Sequence, residues 1–386
     1  MLIALCITQI TSWGVLYYAF PVLAPAITAD TGWSTSTITA AFSAALVVAA
    51  LGGIPIGRLL DLRGPHAIMT IGSVIAVAAS AAIALAPNLL WFAAAWLLAG
   101  TAMSAVLYQP AFAALTRYHH PRHVAALTTL TLVAGLASTV FAPLTDALSA
   151  HLSWRGTYLT LAAILAVVTI PLHALALRRP WPPAPKPHRA ENQTHQAIVR
   201  TRPFVLATLA LTLASFAMFA VVVNLIPLLT ARGASGTAAA WALGLGGVGQ
   251  VTGRLGYGAL ARRTTVRGRT VWVLSLSAVT IAILAVVPGP VAVLIAVSVL
   301  AGATRGITTL LQATAVSDRW GTASYGALSG ILSAPVTIAT ALAPWAGAAL
   351  AAMLGGYPNL FIVLAGCAAV AAVSAIGSVP AERRPT

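Results

Sequence analysis

Twelve apolar runs, each long enough to cross a hydrocarbon core of about 30 Å, are marked off by turn and charge signals. No other feature restricts the fold of this chain so severely. They fall at 2–28, 34–57, 67–86, 89–115, 123–149, 154–177, 204–230, 237–260, 270–287, 290–316, 322–351 and 357–378. Backbone groups in lipid must be satisfied within their own segment, so runs of this length predict helices and an all-α membrane protein with twelve spans. Composition agrees: 59% of residues are hydrophobic and 7% charged, against about 25% charged in soluble domains. The first run starts at Leu2 without a basic leader and passes twenty residues, so it is expected to be a spanning helix rather than a cleaved signal.

The only long polar stretch is RRPWPPAPKPHRAENQTHQAIVRTRP, Arg178 to Pro203. Its prolines and charges suit a solvated linker. The expected domains are therefore a six-helix bundle at 1–177, a linker at 178–203 and a second six-helix bundle at 204–386. An offset of 201 places Gly57 and Leu59 on Gly258 and Leu260, and Ala142-Pro143 on Ala343-Pro344. Two repeats of six spans follow.

A net charge of +15 would suggest nucleic acid in a soluble chain, but the cations sort by membrane side. With both termini and the linker on one side, that side collects seventeen lysines and arginines, while Arg155 and Arg232 alone lie opposite. This is the bias of a cytoplasmic face. It predicts a cell (plasma or inner) membrane protein with cytoplasmic termini and linker, and removes a nucleic-acid partner. Cys6 and Cys367 lie in apolar runs. His119, His120 and His123 lack acidic partners, so no metal or cofactor is expected, and no enzyme.

The stretch GRLLDLRGPH, Gly57 to His66, concentrates charge in the connection between helices 2 and 3. Gly57 and Gly64 permit a tight turn, and Asp61 and Arg63 can latch two bundles together in one state. A solvated turn that only fixes topology is the other reading. At mid-membrane depth the ionisable residues are Arg254 and Arg305, and such residues usually face a cavity. Ser298, Gly302, Thr308, Thr309 and Gln312 continue a small or polar stripe around Arg305, and Gln250 lies one turn from Arg254. Helix 1 offers Gln9, Trp13 and Tyr17, helix 4 offers Thr101, Ser104 and Tyr108, and helix 7 offers Thr208, Thr212, Ser215 and Phe219. Phenols and a guanidinium present donors that match a carboxylate; hydroxyl stripes can also simply glue helices.

Gly57-x-x-x-Asp61-x-x-Gly64, with the six-plus-six layout, resembles the signature loop of the major facilitator superfamily. The resemblance implies that helices 1, 4, 7 and 10 line a central cavity and that Asp61 and Arg63 belong to a cytoplasmic gate. Leu62 and Pro65-His66 depart from the usual basic pattern. The basic turn RYHHPRH leading into helix 5, and QVTGR, Gln250 to Arg254, are similar to the monocarboxylate porter branch, in which an acid stands where this chain has Gln250. That departure leaves coupling to a proton open.

The expected function is secondary active or facilitative transport of a small, monocarboxylate-like organic anion by a monomer in the lipid bilayer. Arg305, Tyr17, Tyr108, Gln312, Trp13, Thr309, Ser104, Thr212 and Ser215 would bind it. Gly57, Asp61, Arg63, Gly64, Gln250 and Arg254 would serve the gate. The alternative is an exporter of a hydrophobic drug or metabolite.

Overall fold

A computed structural model describes residues 1–118, 123–181, 194–321 and 325–380. The histidines at 119 and 120, most of the linker and the chain end at 381–386 lie outside the described residues, as does the side chain of Asp61. Twelve long helices follow the twelve predicted runs: α1 (Leu2–Thr31), α2 (Thr35–Arg63), α3 (Pro65–Ala84), α4 (Leu89–Tyr118), α5 (Ala125–Ser149), α6 (Trp154–Ala176), α7 (Arg202–Ala231), α8 (Gly236–Arg263), α9 (Val266–Val286), α10 (Val291–Thr314), α11 (Tyr325–Met353) and α12 (Tyr357–Ile376). Eleven are long and apolar enough to cross a membrane. The exception, α8, is rich in glycine and carries Gln250 and Arg254.

Three helices of the first half are interrupted at mid-length. In α1 a π-helical turn spans Gly14–Tyr18, and a Cβ on Gly14 would lie 2.1 Å from the Phe141 ring of α5. In α4 the helix breaks at Leu107, whose backbone is extended at φ −82 and ψ −156. The cause is Pro110, which has no N–H to give to Val106 four residues back. The buried Gln9 supplies the missing donor, its Nε2 lying 2.6 Å from the Val106 carbonyl. In α5, Gly135-Leu136 interrupts the helix, and the Leu136 N–H turns back to Val133 O at 3.0 Å.

The repeat seen in the sequence recurs in the contacts. A Cβ on Gly100 would lie 2.3 Å from Ala45 O, and one on Gly302 would lie 2.0 Å from Gly246 O; residues 45 and 246 correspond under the offset. At the end of α4 Tyr118 donates to Arg179 O at 3.0 Å, and in the short helical turn Ser317–Trp320 after α10 Arg319 Nε donates to Ser378 O at 2.9 Å; residues 118 and 319 correspond too. Arg319 is next to Asp318, which pairs with Arg269. Burial pushes the Arg319 guanidinium down to about 10, partly offset by the Asp318 carboxylate, so it stays charged at neutral pH.

The stretch read as a loop is helical. α2 runs through Arg63, and Gly64 alone, at φ 75, joins it to Pro65 of α3. Nothing in Leu59 to Arg63 breaks a helix, whereas Gly64 tolerates the left-handed side of φ and its N–H closes on Leu60 O at 2.9 Å. Trp181, where the chain leaves α6, packs over Gly64 with Cγ 3.1 Å from where a Cβ would stand. The Arg117 guanidinium lies 4.5 Å from the same ring.

The halves meet on the membrane face opposite the linker. The Trp345 N–H of α11 donates to Ser43 Oγ of α2 at 3.0 Å, and Thr139 Oγ1 of α5 donates to Gly244 O of α8 at 2.8 Å. Among the described residues, nothing lies within 4 Å of a Cβ built on Gly57, towards the linker-side end of α2. The halves are thus joined on the face away from the linker, and towards the linker side a cavity lies between them.

Candidate functional site

The cavity is one chamber between the halves. Its vestibule has a volume of about 430 Å³ and is bordered by Phe112, Thr131, Gln312, Ser329 and Ser333, all towards the linker-side ends of their helices. Deeper lies a space of about 70 Å³ against Gln250, Arg254, Arg305 and Thr309. A recess of about 190 Å³ lies among α1, α2 and α4, with Phe219 of α7 and Thr337, Thr340 and Ala341 of α11 completing its lining beside Tyr17 and Ser104. Trp13, Tyr108 and Phe219 border all three.

Close helix approach builds the cationic wall. Gly249, Gly253 and Gly302 would each place a Cβ within 2.0–2.3 Å of backbone oxygen on the facing helix, and Gly306 would meet Gln250 O at 2.1 Å. With no side chains between them, α8 and α10 exchange hydrogen bonds in both directions: Arg305 Nε of α10 donates to Gln250 Oε1 at 2.9 Å, and Arg254 Nε of α8 donates to Thr309 Oγ1 at 3.3 Å. Small residues serve this close packing in membranes. Arg254 also reaches across to α5, donating through Nη1 to Thr131 O. Arg305 is 7% exposed and Arg254 9%. Arg305 Nη2, Tyr17 Oη and Trp13 Nε1 are buried without a hydrogen-bond partner among the described residues.

No carboxylate balances these cations among the described residues. Asp30 pairs with Arg155 and Asp318 with Arg269, both at helix ends. A buried guanidinium with an unused donor in a roomy chamber has the hydrogen-bonding chemistry to hold an oxyanion. Opposite it the wall is aromatic: Trp13 lies 5.6 Å from Tyr17 and 5.1 Å from Tyr108, and Tyr108 stacks on Phe112 at 5.1 Å, centroid to centroid.

The chamber therefore gathers Arg305, Arg254, Gln250, Thr309, Gln312, Trp13, Tyr17, Tyr108 and Ser104. Thr212 and Ser215 are not among the residues that line it; on α7 the lining side chain is Phe219. Thr101 is exposed, its hydroxyl returned to Leu98 O at 2.7 Å. Gly302 faces α8 instead of water, and Ser298 borders only a void of about 30 Å³. Arg63 borders an external groove between α2, α3 and α4. The sequence reading missed α11, whose Ser333, Thr337 and Thr340 line the chamber. Their helical spacing, with Ser329 one turn earlier, is a stripe that could have revealed it.

Twelve helices in two repeats around a buried polar chamber are the architecture of a membrane transporter. The chain belongs to the Major Facilitator Superfamily, whose sequence profile matches residues 5–331 and again 208–386; it is a multi-pass membrane transporter, not an enzyme. It is 27% identical over 320 residues to monocarboxylate transporter 13 of Bos taurus, covering 81% of this chain and 73% of that protein. Monocarboxylate transporter 11 of Homo sapiens is 30% identical over 237 residues, 60% of this chain and 48% of that one. The resemblance to the monocarboxylate branch is thereby borne out. Among solved structures, the nucleoside transporter NupG superposes with a TM-score of 0.74 at 14% identity, covering 97% of this chain and 98% of that one. A bacterial homologue of the human lysosomal transporter Spinster, inward-facing and occupied, gives 0.68 at 16% identity over 98% and 93%.

Proposed function

We propose that this transporter carries a small, monocarboxylate-like organic anion by alternating access. The observation that carries the reading is Arg305: its charge is buried in the chamber, its Nη2 has no partner among the described residues, and its neighbour Gln250 accepts a hydrogen bond at 2.9 Å without neutralising it. An anion completes that arrangement. Tyr17, Tyr108 and Gln312 orient it, and Arg254 assists on the route to the linker face. The two bundles, 1–177 and 204–386, rock about the site as a monomer, and Asp61 with Arg63 stabilises the closed linker face. The excess of arginine there puts that face in the cytoplasm. Transport is facilitative, by exchange, or with a proton travelling on the anion.

Ligand binding to the folded state raises the unfolding temperature by mass action. Monocarboxylates at millimolar concentration are expected to raise the Tm of the purified protein and to leave the Arg305→Ala variant unmoved. Stabilisation by neutral or cationic lipophiles alone, equal in both proteins, would replace this reading with the export of a hydrophobic compound.

A further inference from the structure

The chamber is chemically divided. Arg254, Arg305, Gln250 and Thr309 make the wall from α8 and α10, while the facing wall holds rings and no ionic group. The recess beside those rings is mainly apolar: Leu46, Ala49, Ala50, Met103 and Leu107 line it together with Trp13 and Tyr108, and its polar side chains are the uncharged Ser104, Gln109, Thr337 and Thr340. Its volume is about 190 Å³, and an apolar cavity of about 150 Å³ is enough to take benzene. At the Trp13 corner the rings pack together: Tyr17 meets Trp13 edge-on at 60° and Tyr108 lies tilted at 46° to it. Tyr17 also packs against Phe42 at 5.3 Å and Phe219 at 6.3 Å.

A two- or three-carbon acid held by Arg305 would leave this recess to water against apolar walls. A ring attached to the carboxylate displaces that water and buries its faces against carbon, the usual composition of a small-molecule site with few fixed polar groups. We infer that the preferred cargo is a carboxylate with a flat apolar body, such as an arenecarboxylate or arylacetate. Its carboxylate lies on Arg305 with the Tyr17 hydroxyl and Trp13 N–H within the same corner, and its ring lies in the recess between α1, α2 and α4. The inference rests on the anion-carrier reading and specifies its substrate. The recess exists because residues 49 and 50 are alanines, so Ala50 determines specificity: a larger side chain there fills the space the ring needs.

The test uses the full chain reconstituted in liposomes, with uptake of radiolabelled benzoate, phenylacetate, acetate and lactate measured under counterflow and by mutual competition. Ring-bearing acids are expected to half-saturate at a concentration at least tenfold lower than acetate or lactate, and Ala50→Leu is expected to collapse that preference below threefold. Equal or weaker interaction of the ring-bearing acids, with acetate or lactate flux that Arg305→Ala abolishes, would overturn the inference and leave the anion carrier standing. Absence of any Arg305-dependent anion flux would overturn both. Should Ala50→Leu fail to fold, the wild-type series alone decides.

Discussion

Gln250 accepts a 2.9 Å hydrogen bond from Arg305 and satisfies the geometry of that guanidinium while leaving its charge in place. An acid at the same position would do both. Gln250→Glu should therefore supply an internal counter-ion that competes with the transported anion. Apparent affinity is expected to fall at least tenfold, about 1.4 kcal/mol, with the fold intact. Half-saturation in counterflow checks it, and unchanged affinity would mean that Arg305 does not meet the anion.

Gly302 and Gly249 mark the closest approaches of α8 and α10, a Cβ on Gly302 standing 2.0 Å from Gly246 O. Gly302→Ala must push the helices apart, at roughly 1–3 kcal/mol for overpacking. The same displacement lengthens both reciprocal bonds of Arg305 and Arg254. Thermal unfolding should show the loss of stability and transport should fall with it. A variant of wild-type stability and flux would show that the close contact is dispensable.

The face away from the linker depends on α5 against α8. A Cβ on Gly247 would lie 2.4 Å from Ser138 Oγ, so cysteines at these two positions meet the reach of a disulfide, with Cβ atoms about 3.5–4.5 Å apart. In a background lacking Cys6 and Cys367, Ser138→Cys with Gly247→Cys should cross-link on oxidation and stop transport. Reduction should restore it. Full transport in the cross-linked protein would show that this face does not open during the cycle.

The twelve spans were legible because length and apolarity suffice to define a helix in lipid. Arg254 and Arg305 were legible because a charge at that depth is too costly to be incidental. The interruptions were not. Pro110 announces a break in α4, but only the fold shows Gln9 reaching Val106 O at 2.6 Å to mend it, because the two residues come from different helices. The same limit hid the α8 and α10 glycines, whose purpose depends on which helix they face. The linker-face turn was misplaced because its charges read as a loop, although only Gly64 interrupts the helix. Of the α7 stripe Thr208, Thr212, Ser215 and Phe219, only Phe219 borders the chamber; polarity alone does not distinguish a water-facing hydroxyl from one packed between helices.

The most direct measurement is counterflow of a labelled monocarboxylate in proteoliposomes for wild type, Arg305→Ala and Arg305→Lys. If Arg305 holds the anion, wild-type flux is saturable, the alanine variant loses it by about a hundredfold, and lysine, a point charge without the planar fork, retains a fraction. Saturable anion flux of wild-type size in Arg305→Ala would contradict the account.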